Sequence, residues 1–117
     1  MSGNNSGRPR WDGGGGGGRG EEQFNCLTLV ERTYLNSAVP SVVAGLSVGV
    51  ELEVSLRQQA DTDVLLALDP SGTIAGSLTP SRLPRFLACI REGNHYVAVI
   101  QEMDGGRIRV EIRPGVQ

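Results

Sequence analysis

The sequence predicts an α+β domain that is mostly β: a small, partly open β-barrel or curled antiparallel sheet of about six strands, with one main helix at about residues 81–92. The stretch "VGVELEVSLR" sets Val48, Val50, Leu52, Val54 and Leu56 on one face and Glu51, Glu53, Ser55 and Arg57 on the other. That period of two belongs to a half-buried antiparallel strand. Near the C-terminus, "NHYVAVIQEM" and "RIRVEIR" flank "DGG", which is hairpin chemistry in turn and in alternation. One stretch alone has clear helical spacing, with Leu83, Phe86, Leu87 and Ile90 at i, i+3, i+4 and i+7.

Taken in order, residues 1–22 ("MSGNNSGRPRWDGGGGGGRGEE") hold almost no large apolar side chain and read as a flexible tail ahead of a single domain at 23–117. Arg8, Arg10 and Arg19 are balanced by Asp12, Glu21 and Glu22, so the tail reads as a tether more than a binding arm. "FNCLTLV" reads as a first strand and "ERTYLNSAVPS", with Asn, Ser and Pro, as a loop. "SVVAGL" allows one short helical turn, and "QQADTD" reads as a turn. "VLLAL" reads as a strand buried on both sides. Asp69-Pro70-Ser71-Gly72 has type I turn chemistry, leading back through "TIAGSL", where Gly76 marks a kink or a close approach in mid-strand. Pro80 and Pro84 both suit the first position of the helix, and Gly93 supplies a left-handed stop just past Arg91.

The last hairpin can pair in more than one way. A two-residue loop puts Val97, Val99 and Met103 with Ile108, Val110 and Ile112 in the core, leaving Tyr96, Ala98, Ile100 and Glu102 outside beside Arg107, Arg109, Glu111 and Arg113. A three-residue loop would flip one arm and send Tyr96 inside.

The chain of 117 residues carries a formal charge of -2, and all 11 of its basic residues are arginine. This balance argues against binding nucleic acid by bulk charge, while a local basic stripe stays open. No stretch approaches the roughly 18 apolar residues of a membrane span, so a soluble protein without membrane partners is expected. The two cysteines, Cys26 and Cys89, lie far apart, and no charged-then-apolar segment opens the chain. The expectation is a reduced, cytoplasmic protein.

Catalysis has few candidates, because His95 is the one histidine and precedes an apolar strand. The cysteines lack zinc-ligand spacing, and Asp61, Asp63 and Asp69 have ordinary turn composition. Gly72 and Gly76 bracket a strand that leads to a helix, yet the stretch has neither the Gly-Lys-Ser/Thr ending nor the G-x-G-x-x-G spacing of a phosphate loop. No enzyme, metal or cofactor is expected. What remains is the stripe Arg107, Arg109 and Arg113 with Tyr96 nearby, which combines cations for a phosphate backbone with a ring for a base. Only 4% of the residues are aromatic, so the alternative is a solvated sheet face with Glu102 and Glu111 in the row.

Several segments in sequence order resemble the HIRAN domain: "LVERTY", "VGVELEVSLRQ", "TDVLLAL", "SGTIAGSLTPSRLPRFLACIREG" and "YVAVI". The likeness runs from Leu29 to about Glu102 and rests on order and spacing. The resemblance implies a small β-barrel-like module with a helix. It also implies a non-catalytic role in binding DNA, at a single-stranded 3′ end, in repair or in defence against foreign DNA. The matching positions are Arg32, Tyr34, Arg57 and Asp63. The sequence departs from the family pattern in Glu31, where glycine is usual, and in Thr33, where a second aromatic is common. The rival expectation is a protein-interaction adaptor that uses a sheet edge or the Arg107 to Arg113 face.

Overall fold

The computed structural model describes residues 25–115, so the expected tail at 1–22 lies outside the described residues. Six strands lie among the described residues: β1 (Glu31–Asn36), β2 (Glu51–Gln59), β3 (Thr62–Leu68), β4 (Ile74–Leu78), β5 (Tyr96–Asp104) and β6 (Arg107–Pro114). Two helices join them, α1 (Pro40–Val43) between β1 and β2, and α2 (Leu83–Arg91) between β4 and β5. The strands close into an antiparallel barrel in the order β1-β4-β3-β2-β5-β6, with β6 pairing back to β1. The expected α+β, mostly β class holds, and the barrel is closed where a partly open one is allowed for by the sequence.

The opening segments are exchanged relative to the local reading. "FNCLTLV" supplies a turn at residues 26–28, and the strand is "ERTYLN", which local composition marks as a loop. Long-range pairing decides this: Glu31 to Tyr34 pair with Ile112 to Arg109 of β6, and Leu35 and Asn36 pair with Leu78 and Ser77 of β4. Ser37, at φ 49°, ends the strand.

The predicted alternation holds from Val50 to Arg57, with Val50 and Leu56 partly buried against the core, whereas Val48 lies ahead of β2 and is 60% exposed. Leu52 and Val54 are buried while Glu51, Glu53 and Arg57 face solvent. β3 is buried from Leu65 to Leu68, as a run without alternation requires. The core joins Leu35, Leu52, Leu65, Leu78, Ile100 and Val110 from all six walls.

Because every pairing is antiparallel, loops alternate between the two ends of the barrel. One end carries α1, the β3-β4 turn and the β5-β6 hairpin, and the other carries the β2-β3 hairpin and α2. Val42 and Val43 of α1 pack on the core from the first end, and Phe86 and Cys89 of α2 are fully buried at the second.

Helix α2 is held across its end by two carboxylates. Glu31, at the start of β1, accepts hydrogen bonds from the Ser81 hydroxyl (2.8 Å), the Arg82 backbone N–H (3.1 Å), the Arg82 Nε–H (3.2 Å) and the Ser81 backbone N–H. At the other end of α2, Arg91 pairs with Asp63 of β3. Arg82 makes no side-chain cap, so Glu31 of β1 takes the N–H groups of Ser81 and Arg82, while Leu83 and Arg85 donate to the Pro80 and Arg82 carbonyls.

Burial alone would raise the Glu31 pKa, but the hydrogen bonds from Ser81 and Arg82 outweigh it and hold the carboxyl below its ordinary value of 4.5. The lowered pKa makes this a stabilisation that is complete above about pH 4.5 and lost as pH falls through the folded-state value. Glu31→Gln is expected to lower stability by about 1–3 kcal/mol at pH 7. The gap to the native protein should narrow as denaturant melts are taken from pH 7 towards pH 3, and equal stabilities at pH 7 would exclude the clamp.

The cysteines overturn the expectation of free thiols. Cys26 and Cys89 form a disulfide, with 5.6 Å between Cα atoms, and no cysteine is free. It ties the segment before β1 to the buried face of α2. Cys89 is a core residue, as its place in the apolar stripe predicts, but as half of a cross-link. The inference of a reducing compartment therefore loses its ground. No helix among the described residues is long and apolar enough to cross a membrane.

Candidate nucleic-acid interface

The side chain of Tyr34 emerges from the outer wall of β1, one residue before Leu35 turns into the core. Its neighbour across the ladder is Arg109 of β6, and Arg32 lies opposite Glu111. Tyr34 is 42% exposed, so its ring is open to a ligand. The guanidinium of Arg107 lies over this ring, 4.7 Å from its centroid.

An irregularity in β5 completes the face. Before it, Tyr96, Ala98 and Ile100 point inward, and the register then slips between Ile100 and Glu102. After it, Met103 pairs with Ile108 on the inner side, while Glu102 and Asp104 stand outside opposite Arg109 and Arg107. A bulge adds one residue to one strand and reverses the facing of the residues beyond it. Tyr34, Glu102, Asp104, Arg107 and Arg109 thereby line one cleft of about 140 Å³.

Charges on this face are partly matched. Arg109 Nη2 lies 3.5 Å from Glu102 Oε1, yet its Nε is buried without a hydrogen-bond partner. Further along, Glu111 bridges Arg32 (3.4 Å) and Arg113 (3.8 Å). Arg107 sits opposite Asp104 in the ladder, but its guanidinium is drawn over Tyr34, and Asp104 has no ion pair among the described residues.

Tyr96 does not belong to this face. It is fully buried, packs edge to face on Phe86 at 5.2 Å and 79°, and its hydroxyl donates to the Cys26 carbonyl. Burial and the charge of Glu92 push its phenol pKa up. The hairpin loop has two residues, Gly105 and Gly106, for which the alternation places Tyr96 outside. The register slip turns it inward instead.

The four positions implied by the HIRAN resemblance divide into two pairs. Arg32 and Tyr34 share the outer face of β1 with Arg107, Arg109 and Arg113. Arg57 is on β2, three strands away around the ring, with its Nε on the Ser55 hydroxyl at 3.3 Å. Asp63 lies at the far end of β3, in the ion pair with Arg91. No single concave patch joins all four.

No group of three or more His, Cys, Asp or Glu side chains gathers for a metal among the described residues. Asp61 and Asp63 lie at the end of the barrel opposite Asp69. Asp69 instead organises its own turn, accepting from the Ser71 hydroxyl (2.7 Å) and the Thr73 N–H (2.8 Å). His95 is packed beside Gly115, whose N–H donates to its carbonyl at 2.9 Å.

No family model, curated protein or solved structure matches this chain.

Proposed function

We propose that this chain is a non-catalytic module that binds single-stranded DNA along the outer face of β5, β6 and β1. One observation carries the reading: an exposed Tyr34 ring stands beside the guanidiniums of Arg107 and Arg109 at a cleft large enough for a base. Arg32 and Arg113 extend the cationic row along the same strands. A ring accepts any base by stacking, and guanidiniums hold phosphate oxygens through charge-assisted bonds.

The reading keeps the strand and drops the terminus. An end-binding pocket shared by Arg32, Tyr34, Arg57 and Asp63 would need residues from opposite walls of a closed barrel. An adaptor working by strand addition is equally disfavoured, since β6 pairs back to β1 and the barrel has no open edge. The adaptor reading survives only on the arginine face, where Glu111 neutralises part of the charge between Arg32 and Arg113.

Fluorescence anisotropy with a labelled oligo-dT tests the proposal. Tyr34→Ala is expected to weaken binding by about 1–3 kcal/mol with little change in salt dependence. Arg109→Gln should weaken it and lower the slope of log affinity against log salt by about 1. Absence of binding at low salt would sink the proposal. A co-purifying protein that protects β6 amides from exchange would favour the adaptor.

A further inference from the structure

We infer that the cleft between Tyr34 and Asp104 reads guanine, so that the module prefers single strands with a guanine at the bound position. The inference rests on the single-strand reading above and adds to it a choice of base.

The choice comes from how the cleft is charged. A platform built to hold any strand needs only a ring and cations, and carboxylates in its floor repel phosphate. Here two carboxylates, Glu102 and Asp104, stand in the same cleft as the ring. Glu102 is engaged by Arg109, whereas Asp104 has no ion pair among the described residues and the guanidinium of Arg107, opposite it in the ladder, lies over Tyr34. An ionised carboxylate only accepts hydrogen bonds, so its partner must present donors.

Among the bases, guanine alone offers two adjacent donors on its Watson–Crick edge, N1–H and the N2 amino group, which match the two oxygens of one carboxylate. Adenine and cytosine offer one amino group each beside a ring acceptor. Thymine has a single N–H between two carbonyls, which a carboxylate would repel. Unstacked bases in single strands are read on this edge while their rings stack on aromatic or guanidinium planes.

The remaining group on guanine is O6, an acceptor next to N1. The cleft holds donors to meet it: Arg109 lines the same cleft with a side chain that is 42% exposed. A guanine stacked against the Tyr34–Arg107 pair would give its two donors to Asp104 and accept from Arg109. A cleft of about 140 Å³ is suited to one base.

The test measures anisotropy for dT strands of equal length whose central residue is dT, dG, dA, dC or deoxyinosine, which lacks the N2 amino group. The dG strand is expected to bind roughly tenfold more tightly than all-dT, with deoxyinosine between them, in line with 1–3 kcal/mol for a good bidentate contact. Asp104→Asn should bring the dG strand down to the affinity of the all-dT strand measured on the same variant. Glu102→Gln should leave the order of the bases unchanged.

Equal binding of all five strands, or a preference for another base, overturns the guanine inference and leaves single-strand binding standing. A guanine preference that survives Asp104→Asn overturns the assignment to this cleft. No binding of any strand at low salt removes both readings.

Discussion

Removal of the Cys26–Cys89 bond is expected to lower the stability of the domain by roughly 4 kcal/mol, the chain-entropy value for a closed loop of this size. The bond spans 63 residues and so encloses β1 to β4 and nearly all of α2. In a domain of this size such a loss corresponds to a fall in Tm on the order of 20 °C. Cys89 is fully buried and stays a small apolar group when reduced, so the loss comes from the cross-link more than from packing. The local consequence is specific. Leu29, 2% exposed, and the Cys26 carbonyl that receives the Tyr96 hydroxyl both belong to the tethered segment. Thermal melts with and without a dithiol reductant should differ for the native chain and coincide for Cys26→Ser, which should itself melt near the reduced value. A native chain whose Tm is unmoved by complete reduction would show that the segment is held by packing alone.

The parts of the fold legible in the sequence are those in which pattern and environment agree over several residues. β2 alternates because one of its faces is core and the other solvent, and α2 has its stripe because it lies over one end of the barrel. Gly93, at φ 100°, and the Asp69-to-Gly72 turn carry their chemistry locally and are found where predicted. β1 is hidden because Glu31, Arg32, Thr33 and Asn36 are polar, and only its pairing with β6 and β4 makes it a strand.

The candidate face is half legible. Arg107, Arg109 and Arg113 share one side of a regular strand, so period two places them correctly. Alternation alone misplaces Tyr96, Ala98 and Ile100, because the slip after Ile100 reverses the parity of β5 and the sequence carries no mark of it, while Asp104 could be read as a turn residue because both Asp104-Gly105 and Gly105-Gly106 suit the loop. Glu31 stands out in the sequence only as a departure from a family pattern. Its use becomes visible once α2 is seen lying against the start of β1, with no capping side chain of its own.

Gly76→Ala is expected to destabilise the barrel by roughly 2–3 kcal/mol, at the upper part of the range for overpacking a core. A Cβ at this position would lie 2.7 Å from Leu35 Cγ and 2.8 Å from the Asn36 carbonyl oxygen, both closer than a carbon can approach. The location gives the clash its effect. β1 and β4 are joined by only two residue pairs, Leu35 with Leu78 and Asn36 with Ser77, the shortest ladder in the barrel. Leu35 can turn aside, but the Asn36 carbonyl belongs to the ladder itself, so relief requires β1 to move away from β4. Gly72→Ala is the control: its φ of 90° is strained for alanine, yet nothing lies within 4 Å, and a loss of about 1 kcal/mol from backbone conformation alone is expected. Urea melts separate the two. Leu35→Ala in the Gly76→Ala background distinguishes side-chain crowding from displacement of the ladder. If Leu35 is the obstacle, the second substitution should cost less there than in the native chain. If the Asn36 carbonyl dominates, the two losses should add, and exchange protection of the β1 amides should fall in Gly76→Ala with or without Leu35.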